Sequence, residues 1–283
     1  MRTPFRMIAI DFDGTLLDGT GNVSMRSKLA IHRAVQAGLQ VCFATGRNWT
    51  ESKSIIETVS HFSQAVFVSG AIVMDTLREV TLHRTMMHPA LAREVCSVLE
   101  QLGHCPLVLQ DTATSGGVDY LTTAHREINE AERIWREITR TVVHEVASLS
   151  DHPHDHTIRV GIVAAPDEVD RAVNGLTRRF GDRIINHCIH VPAYGVDVME
   201  VFDPAVNKWQ GLQHIARIYD IQPQQIVAIG DDVNDLPMLK NAGLGVAMGN
   251  AKPLAKAAAS RVIGRNDEDG LAIFIEQLLD GKI

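Results

Sequence analysis

The sequence predicts an α/β protein, with a Rossmann-like parallel sheet and an inserted α+β domain. Three short apolar runs, at residues 7–10, 41–44 and 226–229, each end in polar residues, as buried parallel strands do. More than 160 residues lie between Thr45, after the second run, and Lys208, ahead of the third. A chain of 283 residues also exceeds the usual size of one hydrophobic core. We therefore expect two domains.

The first apolar run, MIAI, leads directly into the motif DFDGT, which begins at Asp11. Two carboxylates, Asp11 and Asp13, thus lie at the C-terminal end of a buried strand, where open α/β sheets bind ligands. Acidic side chains two residues apart can gather around one divalent cation, and the following Gly-Thr pair offers an amide and a hydroxyl to an anion. An isolated Asp-x-Asp pair is more often a solvated turn, so the assignment depends on other segments.

Three other segments supply complementary groups. The second run ends at TGR (45–47), and the third ends at GDDVND (230–235). Lys208 lies in the first turn of a predicted helix that Asn207 can cap. Carboxylates, a hydroxyl, an ammonium group and main-chain amides at strand ends and helix starts are what a magnesium-dependent phosphoryl-transfer site requires.

The four segments, in this order, resemble the haloacid dehalogenase superfamily of phosphohydrolases, whose motifs run DxDGT, a Thr, a Lys and GDxxND. The segments VAMGNA (246–251) and NDEDG (266–270) are similar to its Cof-type, subfamily IIB branch. One departure is Ser69, which precedes Gly70 where this branch usually has Asn. The resemblance implies a Mg²⁺-dependent phosphatase of small phosphorylated metabolites, with sugar phosphates as the leading class.

The resemblance also implies a role for each charged residue. Asp11 is the expected nucleophile, because a carboxylate can attack phosphorus and form an aspartyl-phosphate. Asp13 is the expected acid and base for the leaving group and the attacking water. Mg²⁺ is expected on Asp11, Asp13 and Asp231, with Asp13 contributing its main-chain carbonyl. Lys208 offsets the negative charge of the site. Asp235 either orients metal waters or Lys208, or simply caps the next helix.

The uncharged groups are expected to bind the phosphoryl oxygens. The Thr45 hydroxyl and the amides of Gly46 and Phe12 have this role, and Asn234 is a phosphate or second-shell donor. For Arg47 the sequence leaves two alternatives equal: it reaches a second anionic group of the substrate, or it pairs with a carboxylate of the inserted domain.

The domain boundaries follow from the lengths of the predicted elements. One helix, capped by Ser24, fills most of the stretch between residues 13 and 45, so no domain fits there. After Thr45 the core needs only a helix at 51–60 and a strand at 65–69. The residues between this strand and Lys208 that the core does not need contain predicted strands and amphipathic helices, including a helix at 125–140. We therefore expect residues 1–83 and 204–283 to form the catalytic core, and residues 84–203 a substrate-selecting cap.

Composition excludes several classes of partner. The net charge of −7 argues against nucleic acid or an anionic membrane surface. No apolar run approaches a membrane span and no signal-peptide core precedes Asp11, so a cytoplasmic location is expected. The four cysteines lack CxxC spacing and are expected to be reduced thiols. The His-rich segment 152–156 is expected to be a solvated turn rather than a metal site.

Two other functions remain open at the level of sequence. One is a phosphomutase, because phosphomannomutases share the type IIB layout and the Asp-x-Asp pair. The other is a phosphate-binding or phospho-acceptor module, because receiver domains also place Asp, Thr and Lys around Mg²⁺. Receivers lack the second carboxylate and the long insertion. The substrate and the oligomeric state, monomer or homodimer, are not predicted.

Overall fold

The computed structural model describes residues 3–124, 127–139, 141–191 and 196–283. The chain forms two compact units: Met1–His83 with Asn207–Ile283, and Arg84–Val206. The second boundary lies three residues after the expected position at 203/204. A turn lies at this boundary, where the main-chain N–H groups of Ala205 and Val206 donate to the Asp203 side chain and carbonyl at 2.9 and 3.0 Å.

The N-terminal part of the first unit alternates strands and helices. Its elements are β1 (Met7–Ile10), α1 (Met25–Gln36), β2 (Gln40–Phe43), α2 (Trp49–Val59), β3 (Gln64–Phe67), β4 (Ile72–Asp75) and β5 (Val80–Arg84). Every residue of β1 is buried, as the continuous apolar run predicts. Ser24 caps α1 by accepting a hydrogen bond from the Ser27 N–H at 3.0 Å. The predicted helix and its cap are therefore confirmed.

Two local features of this part were not predicted from the sequence. The buried face of α1 contains Ala30, Ile31 and Ala34, whereas Leu29 is exposed. Strands β4 and β5 were not predicted, because the turn between them contains neither Gly nor Pro. The Asp75 carboxylate forms this turn instead, accepting hydrogen bonds from the N–H groups of Leu77 and Arg78 at 3.1 Å.

The second unit is a six-stranded sheet with helices. Its elements are α3 (Pro89–Gln101), β6 (Leu107–Gln110), β7 (Tyr120–Thr123), α4 (Glu130–Thr139), β8 (Val143–Val146), β9 (Thr157–Ala164), α5 (Pro166–Phe180), β10 (Ile185–Val191) and β11 (Val196–Phe202). The strand order is β10-β11-β9-β6-β7-β8. Alternate residues of β9 and β11, such as Val160 and Met199, pack with α3 and α5 in one core. The ends of the predicted helix 125–140, His125 and Arg140, lie outside the described residues. Strand β8 was not predicted.

The His-rich segment differs in part from its prediction as a solvated turn. His154 is buried, its Nε2 donates to the Leu149 carbonyl at 2.7 Å, and its Nδ1 accepts from the Thr157 hydroxyl at 2.8 Å. It is a structural residue of the turn. All four cysteines are free thiols, as expected, and Cys188 is exposed while the other three are buried.

The C-terminal part of the chain completes the parallel sheet of the first unit. Its elements are α6 (Lys208–Ile218), β12 (Ile226–Gly230), α7 (Leu236–Asn241), β13 (Leu244–Ala247), α8 (Pro253–Ala258), β14 (Arg261–Val262) and α9 (Gly270–Leu279). The strand order is β14-β13-β12-β1-β2, and every pairing is parallel. The predicted α/β class with a parallel sheet is therefore confirmed. Across the described ranges, no helix has the length and apolar character needed to cross a membrane.

Candidate active site

Strand register brings three of the predicted motifs to one edge of the parallel sheet. Ile10, the last residue of β1, lies opposite Ile229 of β12 and Phe43 of β2. The Asp11 N–H donates to the Ile229 carbonyl at 3.1 Å, which continues the register for one more residue. The residues that follow these strands therefore meet, as expected where parallel strands end together.

A buried lysine joins two of these motifs. The Lys208 side chain is fully buried, and its Nζ donates to Oδ1 of Asp11 and to Oδ1 of Asp235, each at 2.6 Å. Burial lowers the pKa of Lys208, but the two carboxylates raise it by more, so the net shift is upward and the group stays an ammonium. Asn207 caps α6 at this point by accepting from the Gln210 N–H at 3.0 Å. The cap places Lys208 at the start of its helix, as predicted.

Gly70 allows this helix start to come close to the end of β3. Its φ of 110° is in the region that side chains disfavour, and a Cβ there would overlap the Asn207 carbonyl. Only glycine fits at this contact. The conformation of the turn at Val68–Gly70 thus helps to place Lys208.

Asp235 supports the site rather than capping α7. Its Oδ1 accepts from Lys208, and its Oδ2 accepts from the N–H groups of Asp231 and Asp232 at 2.8 and 3.0 Å. Its side chain makes no capping hydrogen bond to α7. The simple-cap alternative was therefore wrong, because this carboxylate holds the 230–235 loop against the ammonium group.

The acidic residues of the site fit a hard divalent cation. One carboxylate oxygen from each of Asp11, Asp231 and Asp235 lies within 4.8 Å of the other two, and no other group of this kind occurs in the described part of the chain. Because Asp235 already accepts three hydrogen bonds, Asp11 and Asp231 are the residues that could hold a metal. An all-oxygen donor set suits Mg²⁺. Gly14 permits the approach of the main chain, since a Cβ there would overlap the Asp231 carboxylate.

The carboxylates carry more negative charge than Lys208 balances. Burial, together with the nearby Asp235, raises the pKa of Asp11 well above its usual range, and the Lys208 ammonium opposes this shift only in part. Burial, then Asp235 and Asp232, raise the pKa of Asp231 to about 7. In the absence of metal, protons relieve this repulsion, whereas a bound cation would replace them.

This charge balance predicts a pH-dependent stabilisation by Mg²⁺. Because the pKa of Asp231 rises from 3.8 to about 7 on folding, metal-free protein loses stability as the pH rises through that interval. Bound Mg²⁺ would replace this proton and relieve the repulsion, so it should raise Tm more at about pH 8 than at about pH 5.5. Calorimetry with and without Mg²⁺ measures both shifts. An equal rise in Tm at both pH values would contradict the prediction, and Asp231→Asn should abolish the difference.

Arg47 pairs with Asp13, a partner that was not predicted from the sequence. Its Nε and Nη2 donate to the two carboxylate oxygens of Asp13 at 2.9 and 2.6 Å, in a bidentate ion pair. Arg47 follows the strand beside the one that leads to Asp13, so the two side chains meet at the sheet edge. The Asp13 side chain is 58% exposed and is not part of the acidic group of Asp11, Asp231 and Asp235.

The uncharged side chains of the candidate site lie around Gly46. Thr45 is buried, and its hydroxyl accepts from the Arg47 N–H at 3.1 Å. A Cβ at Gly46 would lie 3.4 Å from Ser69 Oγ and 3.6 Å from Asn234 Nδ2, so both side chains border this glycine. Ser69 Oγ and Asn234 Oδ1 are buried without a hydrogen-bond partner among the described residues. Two buried oxygen atoms without a hydrogen-bond partner among the described residues therefore lie close to Gly46.

Phe12 is the last of the predicted residues, and Ser69 is a further residue of the site. The Phe12 side chain is buried against Phe43, with ring centroids 5.1 Å apart, which holds the main chain after Asp11. Sequence reasoning did not select Ser69 as a site residue. Its position directly before Gly70 was the available signal.

A parallel sheet with a buried lysine and a metal-compatible acidic group at its carboxyl edge is typical of α/β enzymes that act on phosphate esters. A profile of haloacid dehalogenase-like hydrolases matches residues 8–275, so the chain belongs to this family, and the predicted Cof-type resemblance is confirmed.

Several similar proteins carry the names of phosphatases. A Bacillus subtilis protein named 5-amino-6-(5-phospho-D-ribitylamino)uracil phosphatase YitU is 28% identical over 277 residues, which cover 98% of each chain. Phosphatase YwpJ of the same organism is 25% identical over 292 residues, covering 97% of this chain and all of that protein. The crystal structure of a haloacid dehalogenase-like hydrolase from Bacteroides thetaiotaomicron shares the fold, with a TM-score of 0.79 at 20% identity and coverage of 97% and 99%. These names support a phosphatase as the class of enzyme.

Proposed function

We propose that the protein is a Mg²⁺-dependent phosphatase of small phosphorylated metabolites, and that sugar phosphates are its leading class of substrate. The observation that carries this proposal is the bridge from the buried Lys208 to Asp11 and Asp235, beside Asp231. A buried ammonium that orients one oxygen of a strand-end carboxylate, next to a metal-compatible carboxylate, provides both a nucleophile and charge compensation.

Asp11 is the proposed nucleophile. Because Lys208 holds Oδ1, we assign the attack on phosphorus to the other oxygen of this carboxylate. A bond forms between this oxygen and phosphorus while the ester P–O bond breaks, which leaves an aspartyl-phosphate and an alkoxide. Water then attacks the phosphorus, inorganic phosphate is released, and the Asp11 carboxylate is regenerated.

Asp13 is the proposed acid and base for these two steps. Its side chain is 58% exposed, so it can exchange protons with solvent. It donates a proton to the departing alkoxide and later accepts one from the attacking water. Its ion pair with Arg47 must open for the first of these transfers, which releases the guanidinium to bind an anionic group of the substrate.

Asp11 and Asp231 are the side chains proposed to hold Mg²⁺, with the Asp13 carbonyl as a further ligand. When bound, the ion offsets the charge of the phosphoryl group and polarises its P–O bonds. Asp235 keeps Lys208 and the 230–235 loop in place. We assign contacts with the phosphoryl oxygens to the Thr45 hydroxyl and Asn234, together with the amides of Phe12 and Gly46.

The names of relatives narrow the choice of substrates to test. Three Bacillus subtilis relatives are named 5-amino-6-(5-phospho-D-ribitylamino)uracil phosphatases. That phosphate is carried by a ribityl chain, which resembles a sugar phosphate in its hydroxyl groups. This compound therefore belongs in the panel beside hexose, pentose and nucleotide phosphates.

Phosphate release across this panel tests the proposed function. Purified protein should release inorganic phosphate only with Mg²⁺, and with a higher kcat/KM for sugar or sugar-alcohol phosphates than for nucleotides. EDTA should stop the reaction, and added Mg²⁺ should restore it. Isomerisation of a hexose phosphate without phosphate release would instead identify a phosphomutase. The absence of turnover on every compound would favour a phosphate-binding module.

We further propose that residues 84–203 select the substrate. This stretch lies within the separate compact unit Arg84–Val206, which contains none of the residues assigned above to phosphoryl chemistry. Exchange of that unit for the matching segment of YitU should shift the ranking of substrates toward that of YitU. Hydrolysis of p-nitrophenyl phosphate should persist as the control for folding. A chimera with the ranking of the original chain would contradict this role.

A further inference from the structure

Two asparagines from the C-terminal motifs are hydrogen-bonded to the loop that follows the nucleophile. Asn250 Nδ2 donates to the Gly14 carbonyl at 2.7 Å, and Asn250 Oδ1 accepts from the Asn266 N–H at 3.0 Å. Asn266 Nδ2 in turn donates to the Leu17 carbonyl at 2.8 Å. The two side chains thus form one connected brace across segments that are more than 200 residues apart in sequence.

The braced loop is a tight turn directly after Asp11. The N–H of Leu16 donates to the Asp11 carbonyl at 3.2 Å, and that of Leu17 donates to the Phe12 carbonyl at 2.9 Å. Within the turn, Asp13 is not helical and Gly14 has a φ of 74°. Its conformation is therefore irregular, and contacts from outside the turn can help to define it.

Gly14 lies between two partners. On one side its carbonyl accepts from Asn250, and on the other a Cβ would overlap the Asp231 carboxylate. The main chain at Gly14 is thereby held between the brace and the acidic group. The Asp13 side chain is 58% exposed, and it must leave its ion pair with Arg47 to protonate the leaving group. Its position relative to Asp11 then depends on this backbone.

We propose that Asn250 and Asn266 are positioning residues for proton transfer by Asp13, acting through the Gly14 and Leu17 carbonyls. This inference rests on the proposed function, in which Asp13 protonates the leaving group. Loss of the brace lets the turn relax and moves the Asp13 carboxyl away from the departing oxygen. Attack by Asp11 is less affected, because Lys208 and the β1 register hold that carboxylate independently.

The dependence of rate on the leaving group separates this role from a purely structural one. p-Nitrophenolate departs without a proton, whereas an alkoxide requires one. Because kcat/KM covers only the steps up to departure of the leaving group, it depends strongly on Asp13 for alkyl phosphates alone. Asn250→Ala should lower kcat/KM for a sugar or alkyl phosphate about tenfold more than for p-nitrophenyl phosphate. Asp13→Asn should also lower kcat/KM more for the alkyl phosphate than for p-nitrophenyl phosphate, and by a larger factor.

Asn241→Ala is the matched control, because the Asn241 carboxamide donates to the Pro237 carbonyl at 2.7 Å on the exposed part of α7. This variant should hydrolyse both substrates at the wild-type rate. Asn266→Asp removes the donor to the Leu17 carbonyl while keeping the size of the side chain. It is the second test variant, to be used if Asn250→Ala fails to fold. It should show the same preference.

Equal losses on the two substrates in both brace variants would overturn the positioning role and leave the proposed function intact. A wild-type protein that hydrolyses neither substrate would overturn the proposed function, and this inference with it. Selective loss on the alkyl phosphate, with the Asn241→Ala control unchanged, is the expected result.

Discussion

We expect Asp11→Asn to abolish turnover, with kcat/KM falling by about four orders of magnitude or more. The carboxamide keeps the shape of the side chain and an oxygen that can accept from Lys208, but it is not a nucleophile toward phosphorus. The fold should persist, since the change removes one negative charge from a buried cluster of carboxylates that repel one another. Steady-state kinetics and circular dichroism measure the two effects.

Asp232→Asn is the matched control for this prediction. Asp232 belongs to the same GDDVND motif, but its carboxylate pairs with the exposed Lys252 at 2.7 Å rather than with Lys208. We expect activity close to that of the wild type. If Asp11→Asn kept activity within about tenfold of wild type after exclusion of contaminating phosphatase, the assignment of the nucleophile would be wrong.

We expect Lys208→Met to remove activity and to destabilise the fold. Asp11 and Asp235 share this ammonium in a fully buried site, and removal of one partner of a buried ion pair costs about 3–5 kcal/mol. Protonation of Asp11 relieves part of the cost at low pH, because its pKa is already raised. The free energy of unfolding should therefore be measured by urea titration at about pH 8 in metal-free buffer.

Two further variants make this prediction specific. Lys252→Met breaks an ion pair of similar length whose side chains are 56% and 42% exposed, so it should cost less than about 1 kcal/mol. The double variant Lys208→Met with Asp235→Asn removes one of the stranded carboxylates and should recover part of the stability but no activity. A single Lys208→Met variant as stable as the wild type would contradict the account.

The parts of the fold and site that could be predicted from sequence follow local rules. Continuous apolar runs identified β1, β2 and β12, and parallel pairing placed the residues after them at one edge. Asn207 was recognised as a helix cap, which located Lys208 at a helix start. Each inference needed only a short window of sequence and a general property of parallel sheets.

The remaining features depend on contacts between distant parts of the chain. The partner of Arg47 is Asp13, which lies on a neighbouring strand end, and no local pattern distinguishes it from other carboxylates. Whether Asp235 caps a helix or binds Lys208 depends on the fold and not on the local sequence. The brace from Asn250 to Gly14 joins residues 236 positions apart. In these cases the sequence supplies the chemical group but not its partner.

The central claim is that Asp11 carries the phosphoryl group during turnover, and chemical trapping tests it most directly. Borohydride reduces an acyl phosphate to an alcohol, so enzyme quenched with borohydride during turnover should contain homoserine in place of Asp11. Peptide mass spectrometry should find this change at Asp11 alone, and only when substrate and Mg²⁺ are both present. Reduction at a different residue, or unmodified Asp11 in enzyme trapped during rapid turnover, would contradict the account.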